Sequence, residues 1–471
     1  MSLRGRFSIM YPAAALCVAV LLLAGCPARQ QQPQPPAPVP DRTQWGPADE
    51  YKFLVDLRGG MTRVLERENR SIGGDEESLS VMQGELADVF TQKSIMAEAN
   101  EAMVRAHGEY SVDPEKLAGY LGGGFPVGLL GEIGTATVGL PSHLDVDRWV
   151  AHLFIANPGS IAESIFEGLS GADKKTESED QETEGTDPLS LMVKAMGLED
   201  VSDLYSWMTD EFFLVFIVNP DFDPEAIQSP ADLTVEAFIG NPPICPIIAV
   251  SSDEPGKGLD VLQTLGTFLL GLGGTDLELE RTTMGGFDAL TLPVEDLADE
   301  MSFADKNERD RFVLMLGNVG PSVAVSVPGY VLIGAPPAME AALDALLPQP
   351  SGAGRSATVE LAWNWDFLIG AYKSSYAAFV DDVVQDPAYE AIREPLGKLD
   401  RDIRELGELG VGSMSFAIQG DGNFDMDILT SKASIRLMGL IQQIFEQGML
   451  GLSSETPAAP ETGTGTKLGG D

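Results

Sequence analysis

Apolar residues in this chain recur in two rhythms, one of period two and one of period three to four. Val323, Val325 and Val327 alternate into Pro328-Gly329, and the chain returns through Tyr330 to Ile333. That is a hairpin closed by a type II turn. Met414, Phe416 and Ile418 run into Gly420-Asp421-Gly422-Asn423, and Phe424, Met426 and Ile428 run out, which gives a second hairpin. A third passes through Met284-Gly285-Gly286-Phe287. Helical spacing marks Leu54, Leu57, Met61 and Val64, then Leu79, Met82, Leu86 and Val89, with Gly73-Gly74 between the two sets.

From about Val150 a strand, a helix and a hairpin follow one another repeatedly. Leu153-Phe154-Ile155 leads to Ser160-Ile161-Ala162-Glu163, a capping box for a helix with Ile161, Ile165 and Leu169 on one face. Ile247 to Val250 leads to a stripe of Leu259, Leu262, Leu265, Leu269 and Leu272. Val359 to Trp363 leads to Asp366 as N-cap, and Ile392, Leu396, Leu399, Ile403 and Leu406 form a later helix supported by Asp400 with Arg404 and Arg401 with Glu405. Helices are expected over 337 to 347 and 432 to 447, after the hairpins. The expected fold is α+β: two or three related modules of mainly antiparallel sheet with packed helices, preceded by a helical region. The segments are 48–110 (helical), 111–240, 241–350 and 351–452 (modules) and 453–471 (a loose tail), with a disordered acidic insertion at 172–187. The glycine-rich run from 118 leads into a strand near Thr135 to Leu140.

Composition changes this picture mainly through charge. Apolar residues make up 44% and charged residues 22% of 471, ordinary globular values. Yet 72 Asp and Glu face only 30 Lys and Arg, a net −42. Such a chain repels nucleic-acid phosphates and anionic head groups, which excludes nucleic acid as a partner. It suits divalent cations, and equally a salty habitat.

The N-terminus gives an address. Arg4 and Arg6 precede an apolar run of 11 residues from Ala13 to Leu23, and small residues lead to Cys26. A membrane span needs roughly 20 residues, so this is the shape of an export signal over residues 1–25. Leu23-Ala24-Gly25-Cys26 resembles the lipobox of the bacterial lipoprotein class. The resemblance implies cleavage before Cys26 and acylation of Cys26, whose chains would hold the protein on a membrane. Pro27 in place of an aspartate points, by the Gram-negative sorting rule of that class, to the outer membrane facing the periplasm. Removing Arg4 and Arg6 with the leader takes the net charge from −42 to about −44. Residues 26–47, rich in Pro and Gln, form a linker that lifts the body off the membrane.

Candidate chemistry is thin. Cys17 leaves with the leader and Cys26 is acylated, so Cys245 is a lone thiol, read as a core residue. His143, Asp145 and Asp147 alternate on one face and form a weak metal-ligand candidate. Asp421 to Asp427 begins like a calcium loop but has Met426 at the turn-glycine position and Lys432 at the bidentate position. Glu254-Pro255-Gly256-Lys257-Gly258 could hold an anion at a helix start, and Trp363 with Trp365 could stack a sugar, though core packing is the simpler reading of both. No cofactor is called for. The functional expectation is a non-catalytic binding or scaffolding protein of the envelope with a protein partner there. The alternatives are an exported metal- or carboxylate-dependent hydrolase, which needs clustered acids, and a lipid or hydrophobic-ligand carrier, which needs an apolar cavity between sheet and helices.

Overall fold

A computed structural model describes residues 45–71, 75–113, 116, 134–140, 149–171, 188–219, 239–240, 242, 244–346, 356–371, 390–405, 409–419 and 422–439. The chain runs through β1 (Gly46–Pro47), α1 (Leu57–Ser71), α2 (Glu76–Val89), β2 (Phe90–Ala99), β3 (Met103–Val112), β4 (Ala136–Thr137) and β5 (Trp149–Ala156). It continues through α3 (Pro158–Gly171), α4 (Pro188–Ala195), β6 (Glu211–Val218), β7 (Ile244–Ser251), α5 (Pro255–Leu272), β8 (Glu280–Met284) and β9 (Phe287–Thr291). Then come α6 (Val294–Glu300), α7 (Lys306–Asn318), β10 (Val323–Val327), β11 (Tyr330–Gly334), α8 (Pro336–Ala345), β12 (Ser356–Ala357) and β13 (Val359–Asn364). The last elements are α9 (Trp365–Ala371), α10 (Glu390–Arg404), β14 (Val411–Ile418), β15 (Asn423–Ser431) and a helix over 432–439.

The fold is α+β. Thirteen strands form one sheet in the order β1-β2-β3-β15-β14-β13-β5-β6-β7-β11-β10-β9-β8, and β12 pairs with β4 apart from it. Every recorded pairing is antiparallel. Strands from all three stretches expected as modules thus pair side by side. The three expected hairpins are present, and their turns explain their glycines. Gly329 has φ +82°, as the third turn residue of type II requires, and Gly285 and Gly286 have φ +59° and +85° between the directly paired Met284 and Phe287.

Two features differ from the sequence expectation. The stretch 48–110 holds two helices, but its second half is the ten-residue hairpin strands β2 and β3. Their alternation is blurred by polar and small residues, and a register shift between Gln92 and Ser94 breaks the period. Helix starts also move. α3 begins at Pro158 behind Asn157, ahead of the expected capping box. Asn364, not Asp366, caps α9 by accepting the Phe367 amide at 3.2 Å, while the Asp366 carboxylate accepts the amides of Leu409 and Gly410.

Alternation sorts the side chains onto two faces. On one, Phe154, Phe213, Val215, Ile247, Val325 and Leu332 pack under Ala338, Met339, Ala341, Ala342 and Ala345 of α8. Alanines let this helix sit close, and Gly334 beneath it has Met339 Sδ only 3.4 Å from where a Cβ would be. On the other face, α5 covers Val250, Leu290, Ala324 and Val331, while α9, α10 and the helix from 432 cover Val150, Ile244 and Trp363. β6 and β7 are therefore covered on both sides, which is why Phe212 to Val218 reads as a continuous apolar run without alternation. Trp363 and Trp365 meet edge to face at 6.1 Å within that second layer. Among the described residues no helix is long and apolar enough to cross a membrane.

At the β1 end the same face closes around Tyr110. Its ring stacks on Phe424 at 4.9 Å and Phe90 at 5.4 Å, and its hydroxyl donates to the Val55 carbonyl. Burial, helped by the nearby Asp56 charge, pushes its hydroxyl up to about 12. Gly108 makes the room, because a Cβ there would overlap the Tyr110 hydroxyl and ring. Tyr110→Phe should cost about 1 kcal/mol by removing one hydrogen bond, and Gly108→Ala should cost about 2 to 3 kcal/mol by displacing the ring as well. Urea unfolding midpoints check the order; a Gly108→Ala variant as stable as wild type would contradict this packing.

Candidate ligand groove

The cover that α5 gives the sheet is incomplete. At its N-terminal end Gly258 lets the helix press against Trp207 and Val331. Lys257, expected as part of an anion site, donates instead to Ser206 Oγ at 3.0 Å. Further along, Gly266 lets Leu279 come close, since a Cβ there would lie 2.5 Å from Leu279 Cδ1. The segment before β8 lies alongside the helix: Gln263 donates to the Leu279 carbonyl, and Arg281 reaches Gln263 and Asp260. Between these walls lies a groove of about 330 Å³.

Its lining is apolar. Leu262, Leu269 and Leu270 come from α5, Leu279 from the adjoining segment, and Leu290 and Leu292 from β9 and its end. Ala324 and Ile333, directly paired across β10 and β11, form the floor with Leu290, which pairs with Ala324 on the other side. Leu269, in this lining, is 56% exposed, so the mouth presents hydrocarbon to water. One polar side chain stands in this lining. Ser322 is 3% exposed, and its Oγ has no hydrogen-bond partner among the described residues. A hollow of about 370 Å³ at the start of α2 is larger, but it is open to solvent, and the described residues that line it are Asp75, Glu77, Ser78 and Val81.

The polar groups of the opposite face are paired. Glu211, Ser251 and Tyr330 stand side by side on β6, β7 and β11. Tyr330 donates to Glu211 Oε2 at 2.6 Å, the Gly139 amide donates to Oε1 at 3.1 Å, and Ser251 Oγ accepts the Glu211 amide at 2.7 Å. Burial raises the Glu211 carboxyl above its ordinary value, against the lowering by Tyr330 and Gly139; burial likewise raises the Tyr330 hydroxyl. His152, 3% exposed, bonds Glu360, 1% exposed, at 3.0 Å between Phe213 and Trp149. His107 lies 3.1 Å from Asp427 and 3.8 Å from Glu109 on the part of this face beyond α8. Asp427 and Asp425 belong to β15, so the residues compared with a calcium loop serve the sheet, with Asp421 outside the described residues. The buried acids Glu360 and Asp400 each answer one basic partner, Asp400 taking Arg404 Nε at 2.9 and 3.0 Å as the i,i+4 spacing predicts. Cys245 is buried in the core, its thiol pushed up to about 11 by burial.

Cys26, His143, Asp145 and Asp147 lie outside the described residues, as do the acidic insertion and the tail. Among the described residues no group of three or more His, Cys, Asp or Glu is placed to hold a metal ion. The leucine stripe of α5 is legible in the sequence, but the space beside it is not. The chain matches no protein-family model, and comparisons with curated proteins and with solved structures find no match.

Glu211 generates a testable pH dependence. Its folded value lies above its unfolded one, so the folded state holds the proton longer. Its contribution to stability is fully present below the unfolded value near 4.5 and is lost as pH rises through the folded value. Glu211→Gln should therefore flatten the fall in stability on going from about pH 4 to 7. Unfolding midpoints across that range measure it, and parallel curves for variant and wild type would contradict the assignment.

Proposed function

We propose that the protein is a lipid-anchored binding protein of the cell envelope, held through Cys26 to the outer membrane and facing the periplasm, whose body takes an apolar chain between α5 and the sheet. The observation that carries this reading is the leucine-lined groove of about 330 Å³ with hydrocarbon exposed at its mouth. That volume lies in the range of small-molecule sites, which are concave and mostly apolar with few polar groups. A carrier of a hydrophobic ligand requires such a space between sheet and helices. An exported hydrolase requires paired acids, whereas among the described residues the buried carboxylates of Glu360 and Asp400 meet the basic groups of His152 and Arg404. Each methylene moved from water into the groove is worth about 0.8 kcal/mol, so a chain of about eight offsets association costs of several kcal/mol. The Pro- and Gln-rich linker keeps this body within reach of the membrane that would supply the chain.

Two measurements check this. The Cys26→Ser chain should leave the membrane fraction; retention would contradict the anchor. In that soluble chain, the apolar fluorophore N-phenyl-1-naphthylamine should bind and brighten. Ala324→Leu, which puts added bulk on the groove floor, should weaken its binding about tenfold or more without lowering the unfolding midpoint. Failure of the probe to bind, or equal binding to both chains, would remove the groove as a ligand site.

A further inference from the structure

Charge is spread unevenly around the groove. Leu262 to Leu292 supply most of its lining, and over that stretch Arg281 is the single basic residue against Asp276, Glu278, Glu280 and Asp288. Arg281 is already committed to Asp260 on α5. The remaining lining residues, Pro321 to Ala324 and Ile333, carry no charge. Asp276 and Glu278 are exposed, and neither meets a basic side chain among the described residues. They stand in the segment that joins the end of α5 to β8, bracketed by the groove residues Leu270 and Leu279. Burial alternates along it, with Leu277 and Leu279 half-buried and the acids in water.

We infer that the groove takes a cationic single-tail amphiphile, its alkyl chain among the leucines and an ammonium head at the mouth beside Asp276 and Glu278. The inference rests on the reading of the groove as a ligand site. A single tail follows from a volume of about 330 Å³. Charge complementarity chooses the head. Glu278 adjoins Leu279 in the chain, so its carboxylate lies within a Debye length of the groove, about 8 Å at physiological salt. Leu269 and Leu270 belong to the last turn of α5, where the helix dipole is negative and favours a cation. Both fields repel an anionic head. A head held at the mouth also stays hydrated, so its charge is not buried.

Displacement of N-phenyl-1-naphthylamine, itself uncharged, from the full-length Cys26→Ser chain tests this at pH 7 and low salt. The competitors share one chain length: decylamine, which is protonated at this pH, decanol and decanoate. Decylamine should displace the probe at a concentration about fivefold lower than decanol, the worth of two exposed ion pairs. Decanoate should be the weakest. The gap between decylamine and decanol should narrow in about 1 M salt, where the Debye length is about 3 Å. In Asp276→Asn with Glu278→Gln, the ratio of decylamine to decanol affinity should fall towards one. Glu76→Gln with Glu77→Gln removes the same charge from α2, which packs on β2 at the other end of the sheet from β9, and should leave the ratio unchanged. Decylamine no better than decanol would overturn the cationic head. A ratio unchanged by the first pair of substitutions, or lowered equally by both pairs, would overturn its place at the mouth. Each of these results would leave probe binding, and so the groove itself, standing. Absence of probe binding in the parent chain would instead remove the groove reading on which the inference depends.

Discussion

The structure depends on covering both faces of one long antiparallel sheet. β6 and β7 carry apolar residues on each side, so neither can meet water, and helices must lie above and below them. One face solves this with a short alanine-rich helix, α8, over β6, β7, β10 and β11. The remainder of that face, around His107, Glu109 and Asp427, is polar and stays open, as antiparallel sheets allow. Among the described residues α1, α5, α9, α10 and the helix over 432–439 share the covering of the other face.

The groove is a consequence of how α5 does its share. Its first turns approach closely because Gly258 admits Trp207 and Val331; further along Gly266 admits Leu279, and the groove lies between these turns and β9, β10 and β11. A helix that is glycine-rich on its inner side loses stability relative to one bearing alanine. Here that loss coincides with a space lined by leucines. The apolar groove with Leu269 exposed in its lining is the basis for assigning a ligand there.

Much of this architecture is legible in the sequence. The hairpins at 323–334 and 411–431 follow from strict alternation and from turn residues with an obligatory conformation. The long-range order of the sheet is not legible, because β13 pairing with β5, and β15 with β3, joins segments about two hundred or more residues apart and no local pattern encodes such partners. β2 and β3 were hidden by residues such as Gln92, Lys93 and Ser94, whose polarity suits an open face and masks the strand period. The leucines of α5 were visible as a stripe, yet a stripe has the same spacing whether the space beneath it is filled or empty. Ser322 was invisible for the reverse reason: a serine before a strand is ordinary until its burial and lack of partner are seen. The address at Cys26 rests wholly on the lipobox resemblance and is independent of the sheet.

Native mass spectrometry of the Cys26→Ser chain, exported to the envelope and purified without detergent, tests the central claim most directly. The account predicts a species heavier by the mass of one bound apolar-chain ligand, and its absence from the Ala324→Leu variant. A chain of bare polypeptide mass in both cases, which still takes up no decanol when it is added, would contradict it.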